Sequence, residues 1–254
     1  MTVHVDPRER FTEAAADYAR YRPDYPSEAI DWIVAAAALA PGARIVDLGC
    51  GTGIATRIFA ARGFDLVGID PNEEMLSHAR RQGGAAYLRG ESTATGLPDA
   101  SADLAISAQA FHWFDVGATL VELARVLRPP RRANAFWNIR SDGPVMDAYD
   151  QILVEHSTEY RRKFGEDTRA VIRAAAGTGV GVIDAREAEF PRVERLDWEQ
   201  FWGRVRSSSY IVHGVEKKAA LEEALRRFFA HHAEEGLLAW SARTEIISFR
   251  VAAS

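Results

Sequence analysis

The sequence predicts an α/β protein whose mainly parallel sheet carries helices on both faces. Three observations predict it. Short apolar strands alternate with helix-length segments between residues 44 and 138. The first strand runs directly into the glycine-rich turn Gly49-Cys50-Gly51-Thr52-Gly53. The second strand ends on an acidic residue, Asp70, about 20 residues beyond those glycines.

Phe11, Ala14, Ala15, Tyr18 and Tyr21 recur at helical spacing, and Tyr21-Arg22-Pro23-Asp24-Tyr25-Pro26 interrupts them. Ser27 to Leu39 reads as a second helix with Ser27 as its cap, stopped by Pro41-Gly42. Arg44–Leu48 is a strand, 54–62 a helix ended by Gly63, and 64–69 a strand. A helix over 73–81 closes at Gly83-Gly84, and 86–88 is a weak strand. The stretch 104–107 is a stronger strand, 116–127 a helix, and 133–138 the fifth strand after a turn at Pro129-Pro130-Arg131-Arg132. Beyond Arg140 the rhythm loosens. Helices are expected over 145–164, 168–176, 198–206 and 216–235, with strands over 185–196 and 237–251. Without a repeat or a low-complexity linker, one domain over residues 1–254 is expected, with a core over 11–140. Segments 141–182 and 197–236 would form a lid around the acceptor pocket.

Composition narrows the class. No apolar run reaches the roughly 18 residues of a membrane span, and the charged N-terminal residues Asp6, Arg8, Glu9 and Arg10 do not resemble a signal peptide. The single cysteine, Cys50, excludes an intramolecular disulfide and a multi-cysteine zinc site. A net charge of −5 argues against a nucleic-acid binder. The expectation is a cytoplasmic protein without membrane, metal or nucleic-acid partners.

A glycine-rich turn alone is weak evidence for a nucleotide-like ligand. Two acidic residues sharpen it. Asp70, at the end of the second strand, is placed to accept ribose hydroxyls. Asp47 directly precedes the glycines, where a carboxylate would repel a pyrophosphate and suit an ammonium group. S-adenosylmethionine carries an ammonium and a sulfonium and no phosphate. A dinucleotide fingerprint would read GxGxxG, and position 54 is Ile.

With Tyr18…Tyr21-Arg22-Pro23-Asp24-Tyr25-Pro26, Val46 to Gly53, Gly68-Ile69-Asp70-Pro71, Gly96-Leu97-Pro98-Asp99, the stretch Ala108-Gln109-Ala110-Phe111-His112-Trp113-Phe114-Asp115 and Arg125-Val126-Leu127-Arg128-Pro129, the chain resembles the class I S-adenosylmethionine-dependent methyltransferases. More narrowly, it is similar to the small-molecule group with the type 11 methyltransferase domain. The resemblance covers residues 11–140. It implies a Rossmann-like, seven-stranded, mainly parallel sheet with the last strand antiparallel, N-terminal helices and a helical lid. It implies S-adenosyl-L-methionine as cofactor, S-adenosyl-L-homocysteine as product, and methylation of a small molecule, with secondary metabolism as a setting. It further implies that Asp47, Gly49 and Gly51 line the methionine part, and that Asp70 holds the ribose. Pro71 and Met75 would pack near the adenine, and the loop Glu91-Ser92-Thr93 would meet its edge. Gln109 and His112 would face the sulfonium. Tyr18, Tyr21 and Arg22 would close the site, with Arg22 pairing the cofactor carboxylate. The chain departs from the family at Thr93, often acidic there, and at Pro129-Pro130-Arg131-Arg132, usually Pro-Gly-Gly.

His112 is the candidate general base, since its ordinary pKa suits neutral pH, and packing against Trp113 is its alternative role. Arg140, Arg206, Ser207, Ser208 and Tyr210 are candidate acceptor contacts, whereas His213, His231 and His232 lack metal-ligand spacing. The rival readings are a nicotinamide-dependent oxidoreductase, a nucleic-acid methyltransferase and a non-catalytic S-adenosylmethionine-binding protein. Asp47 opposes the first. The second lacks the [DN]-P-P-[YF] motif after the fourth strand, where Gln109-Ala110-Phe111-His112 stands.

Overall fold

A computed structural model describes residues 15–160, 169–174 and 181–252. Phe11 and Ala14, the end of the helix expected over 145–164, and Thr168, Ala175 and Ala176 lie outside the described residues. The helices are α1 (Ala15–Tyr21), α2 (Ser27–Ala37), α3 (Ile54–Ala60), α4 (Glu73–Gln82), α5 (Val116–Val126), α6 (Pro144–His156), α7 (Trp198–Arg206), α8 (Ser209–Val212) and α9 (Lys218–His232). Residues 169–174 are also helical. The strands are β1 (Arg44–Leu48), β2 (Asp65–Asp70), β3 (Ala86–Arg89), β4 (Ala102–Ala108), β5 (Leu127–Arg140), β6 (Val182–Leu196) and β7 (Leu238–Val251). No helix among the described residues is long and apolar enough to cross a membrane.

The sheet has seven strands in the order β3-β2-β1-β4-β5-β7-β6. Its first five are parallel, with Asp47 of β1 beside Gly68 of β2 and Ile106 of β4. The end of β5 meets the start of β7 through Ser141 N to Ser241 O, and the end of β7 meets the start of β6 through Ala252 N to Gly181 O. Strand β7 therefore runs against both neighbours, and the Rossmann-like expectation holds. Strand order reverses between β1 and β4, which makes the carboxyl ends of these strands the ligand side.

The chain divides into two compact units. The first contains the described residues of Met1–Pro23, Asn138–Phe164 and Pro191–Arg243. Its core joins Tyr149 and Leu153 of α6 to Phe201 and Val205 of α7, Leu225 and Phe228 of α9, and Trp240 of β7. The second contains the described residues of Asp24–Trp137, Gly165–Phe190 and Thr244–Ser254. There Ile30 and Ile33 of α2 and Phe59 of α3 pack on Ile45, Leu104, Phe136 and Ile246 of the sheet. These side chains are fully buried, and each such aliphatic or aromatic group contributes about 1.5–3 kcal/mol on leaving water.

Three local expectations are corrected. Ser27 is the first helical residue and caps nothing; the cap position of α2 is Pro26, and the helix closes at Ala38 in a left-handed conformation. The residues Pro129-Pro130-Arg131-Arg132 belong to β5 and do not form a turn before it. They bulge: Ala102 pairs with Leu127, but Leu104 pairs with Arg132, so extra residues loop out on the β5 side. Prolines, which donate no ladder hydrogen bond, are tolerated at such a bulge. Helix α6 ends at His156, because Ser157 Oγ donates to Tyr210 O at 2.7 Å and Thr158 N to Gly214 O at 2.9 Å. These long-range bonds leave no trace in periodicity.

One glycine of the first unit is fixed by sterics. A Cβ on Gly203 would stand 2.4 Å from Cγ of Tyr21, whose ring lies on α7. Replacing a helical glycine ordinarily gains about 1 kcal/mol, but overpacking costs about 1–3 kcal/mol. Gly203→Ala is therefore expected to lower the urea midpoint, whereas an unchanged or raised midpoint would show that Tyr21 moves freely off α7.

Candidate functional site

The turn after β1 is built against the end of β2. Gly49 N and Cys50 N donate to Ile69 O at 2.8 and 3.1 Å, and Gly51 N donates to Asp70 Oδ2 at 2.9 Å. Asp70 Oδ1 accepts from Asn72 N at 2.8 Å, and Asn72 in turn caps α4 by accepting from Met75 N at 3.0 Å. The carboxylate of Asp70 thus ties the glycine turn to the start of α4. Gly49, at φ +67°, must be glycine twice over: a Cβ would lie 2.5 Å from Ala110 Cβ and 3.1 Å from the Phe114 ring.

Asp47 is wholly buried at the end of β1. Thr56 Oγ1 of α3 donates to its Oδ2 at 2.6 Å, while Oδ1 has no hydrogen-bond partner. Burial, and secondarily the neighbouring charge of Asp70, push its pKa up from 3.8 to about 7. Burial likewise raises Asp70 to about 6, against the backbone hydrogen bonds that favour its ionised form. Neither carboxylate is ion-paired among the described residues. Two buried acids with raised pKa values, one with an unpartnered oxygen, make a place that a cation would complete.

The other predicted residues of this unit have the following surroundings. Met75 is buried, with its Cε 3.2 Å from the point a Gly51 Cβ would occupy, and Pro71 is half-buried. Ser92 Oγ accepts from Thr119 Oγ1 at 2.9 Å, and Thr93 lies in the tight turn closed by Glu91 and Ala94. That loop is anchored by Thr95, whose N and Oγ1 both donate to Glu122 Oε1. Gln109 leaves β4 at φ +59° with its N bonded to Phe136 O. His112 follows in a short 3-10 turn (Phe111–Trp113), where Trp137 Nε1 donates to its Nδ1 at 3.0 Å. Burial, then the charge of Arg169, lowers the His112 pKa from 6.5 to about 4.

Tyr18, Tyr21 and Arg22 belong to the first unit. Arg22 Nη2 donates to Ser208 Oγ at 2.9 Å and Ser207 O at 3.2 Å, and its guanidinium lies over the Tyr18 ring. Tyr21 OH donates to Glu199 Oε1 at 3.0 Å. Arg140 is no lone surface cation: its Nη2 donates to Asp150 Oδ1 at 2.9 Å and to the Tyr160 hydroxyl. Burial acts against its charge, but the surrounding Tyr210, Tyr149, Tyr160 and Asp150 hold it protonated. His231 is exposed and His213 and His232 half-buried; no group of three or more metal-ligating side chains occurs among the described residues. Sequence reasoning missed Thr56, Ala110, Phe114, Trp137 as the partner of His112, and Arg169. Ala110 and Phe114 stand in the stretch Ala108 to Asp115 that carries the resemblance, and Trp137 is an aromatic residue near the carboxyl end of the fifth strand; Thr56 and Arg169 carried no signal.

A family model described as a methyltransferase domain matches residues 46–130, the stretch that holds this site. Over that stretch the chain is similar to methyltransferase domains. An uncharacterised methyltransferase of Mycobacterium tuberculosis is 43% identical over 133 residues, 52% of this chain and 53% of that one. The chain thus spans about half the length of the relatives it matches in sequence. Among solved structures, a protein titled a type II methyltransferase from Anaeromyxobacter dehalogenans is 26% identical, covers 90% of this chain and 97% of its own, and superposes with a TM-score of 0.64. A methyltransferase from Geobacter sulfurreducens in complex with S-adenosyl-L-homocysteine shares the fold, at a TM-score of 0.56 and 17% identity over 97% of this chain and 99% of that one.

Proposed function

We propose that this chain transfers a methyl group from S-adenosyl-L-methionine to a small-molecule acceptor. The observation that carries the reading is the buried Asp47 carboxylate, without an ion pair among the described residues and with Oδ1 unpartnered, beside Asp70 beneath the glycine turn. A cation satisfies the orphan Oδ1 of Asp47 and favours the charged form of both acids. A phosphate would do the reverse. The donor set therefore fits a ligand with an ammonium, a sulfonium and a ribose.

In this reading Asp47, Gly49 and Gly51 line the methionine part of the cofactor. Asp70 accepts from the ribose hydroxyls through lone pairs left over by Gly51 N and Asn72 N. Pro71, Met75, Ser92 and Thr93 surround the adenine, and Gln109 and His112 face the reacting end. When bound, the cofactor supplies an activated methyl group on a sulfonium leaving group. The chain's own residues then orient the partners and exclude water, and positioning of this kind is worth about 7–11 kcal/mol. The acidic net charge favours a small molecule over a nucleic acid.

Asp70→Ala is expected to weaken S-adenosylmethionine binding by about 1–3 kcal/mol, through hydrogen bonds lost to the hydroxyls. Titration calorimetry measures it, with S-adenosylhomocysteine as the second ligand. Unchanged affinity for both would remove Asp70 from the site.

A further inference from the structure

Trp137 decides which nitrogen of His112 carries the proton. An indole N–H donates and never accepts, and this one reaches His112 Nδ1 at 3.0 Å. Nδ1 must present its lone pair, so the neutral ring keeps its proton on Nε2. A second proton would set an Nδ1–H against the indole N–H, inside a largely buried pocket and beside a guanidinium. That guanidinium belongs to Arg169, which pairs with Glu245 Oε2 of β7 at 3.3 Å and lies 5.8 Å from the centre of the Trp137 ring. Its Nη1 is buried without a hydrogen-bond partner.

We infer that the acceptor methylated beside His112 is a carboxylate, and that the product is a methyl ester. The inference rests on the methyltransferase reading above. A hydroxyl or ammonium acceptor arrives protonated and requires a nearby lone pair to take its proton. His112 offers none: Nδ1 is committed to Trp137, and Nε2 already holds a hydrogen. A carboxylate arrives ionised at neutral pH and has no proton to lose. It is also drawn by the unpartnered Nη1 of Arg169, since guanidinium and carboxylate match in charge and geometry. In the step, a carboxylate oxygen lone pair forms the O–CH₃ bond as the CH₃–S bond breaks and its electron pair stays on sulfur. The negative charge of the acceptor cancels the positive charge of the sulfonium, and no proton moves. His112, so held, is a donor and not the general base that its ordinary pKa suggests.

Two measurements on the full chain test this. The first incubates it with S-[methyl-³H]adenosylmethionine and hexanoate, cinnamate or glutarate, each beside the alcohol and amine of the same skeleton. Mild alkali then releases methanol from esters, but not from ethers or methylamines. Base-labile label on the carboxylates, at least about tenfold above the matched alcohols and amines, is expected, and base-stable label on an alcohol or amine overturns the inference. The second records two-bond ¹H–¹⁵N correlations of ¹⁵N-histidine-labelled protein at neutral pH. His112 is expected as the Nε2–H form in the wild type and as a tautomer mixture in Trp137→Phe. An Nδ1–H form in the wild type overturns the inference whether or not a panel member is methylated. Failure to bind S-adenosylmethionine at all would instead strike the methyltransferase reading and leave the tautomer to the second measurement.

Discussion

Asp47→Asn is expected to make the ligand-free protein more stable at pH 8 while costing it most of its affinity for S-adenosylmethionine. The Asp47 pKa rises from 3.8 to about 7 on folding, with burial as the largest cause. Between these values the folded state binds more protons than the unfolded one, so stability falls as pH rises through roughly pH 4–7 and is flat above. A shift of that size corresponds to about 4 kcal/mol at most. The asparagine avoids the charge, and its oxygen can still accept from Thr56 Oγ1. Its amide replaces an Oδ1 that had no partner, which gives back about 1–3 kcal/mol. A net gain of about 1–2 kcal/mol at pH 8, shrinking towards zero near pH 5, is expected in urea unfolding. Affinity should fall about 30-fold or more, through the lost charge-assisted bond. The wild type should bind more tightly as pH rises from 5.5 to 7.5, because the ligand selects the ionised acid. Equal affinities of wild type and variant across that range would show that Asp47 does not meet the cation.

The second large effect is steric. Gly49→Ala would force a methyl group to within 2.5 Å of Ala110 Cβ and 3.1 Å of the Phe114 ring, at a φ of +67°. Overpacking and left-handed strain each cost about 1–3 kcal/mol. The two collision partners are Ala110 itself and the ring that follows the β4 loop, so the turn cannot relax without moving Gln109-Ala110-Phe111-His112. Gly51→Ala meets only the flexible Cε of Met75 at 3.2 Å, at φ +54°. The loss of unfolding free energy should therefore be at least about 1 kcal/mol greater at Gly49 than at Gly51. Equal losses, measured in urea, would mean that backbone strain and not the Ala110 wall dominates.

The half of the chain up to Arg140 was legible because its elements obey local rules. β1 is bounded as its apolar run predicts, and α4 fills the helix expected over 73–81 and closes at Gly83. The Asp47 and Asp70 positions were legible because strand ends and glycine turns have a fixed place in a parallel sheet. What escaped was decided across the sheet or across long loops. Thr56 reaches Asp47 only because α3 folds back over β1. Trp137 and Arg169 bear on His112 from residues 25 and 57 positions further along the chain, and spacing carries no sign of either. The early end of α6 and the bulge in β5 are likewise products of partners that lie far away in sequence.

Titration of the purified chain with S-adenosylmethionine, alongside NAD⁺ under the same conditions, tests the central claim most directly. The acid pair predicts saturable, stoichiometric binding of S-adenosylmethionine with protons released below pH 7, and no binding of the pyrophosphate-bearing nucleotide. Saturable binding of NAD⁺ without binding of S-adenosylmethionine would contradict it.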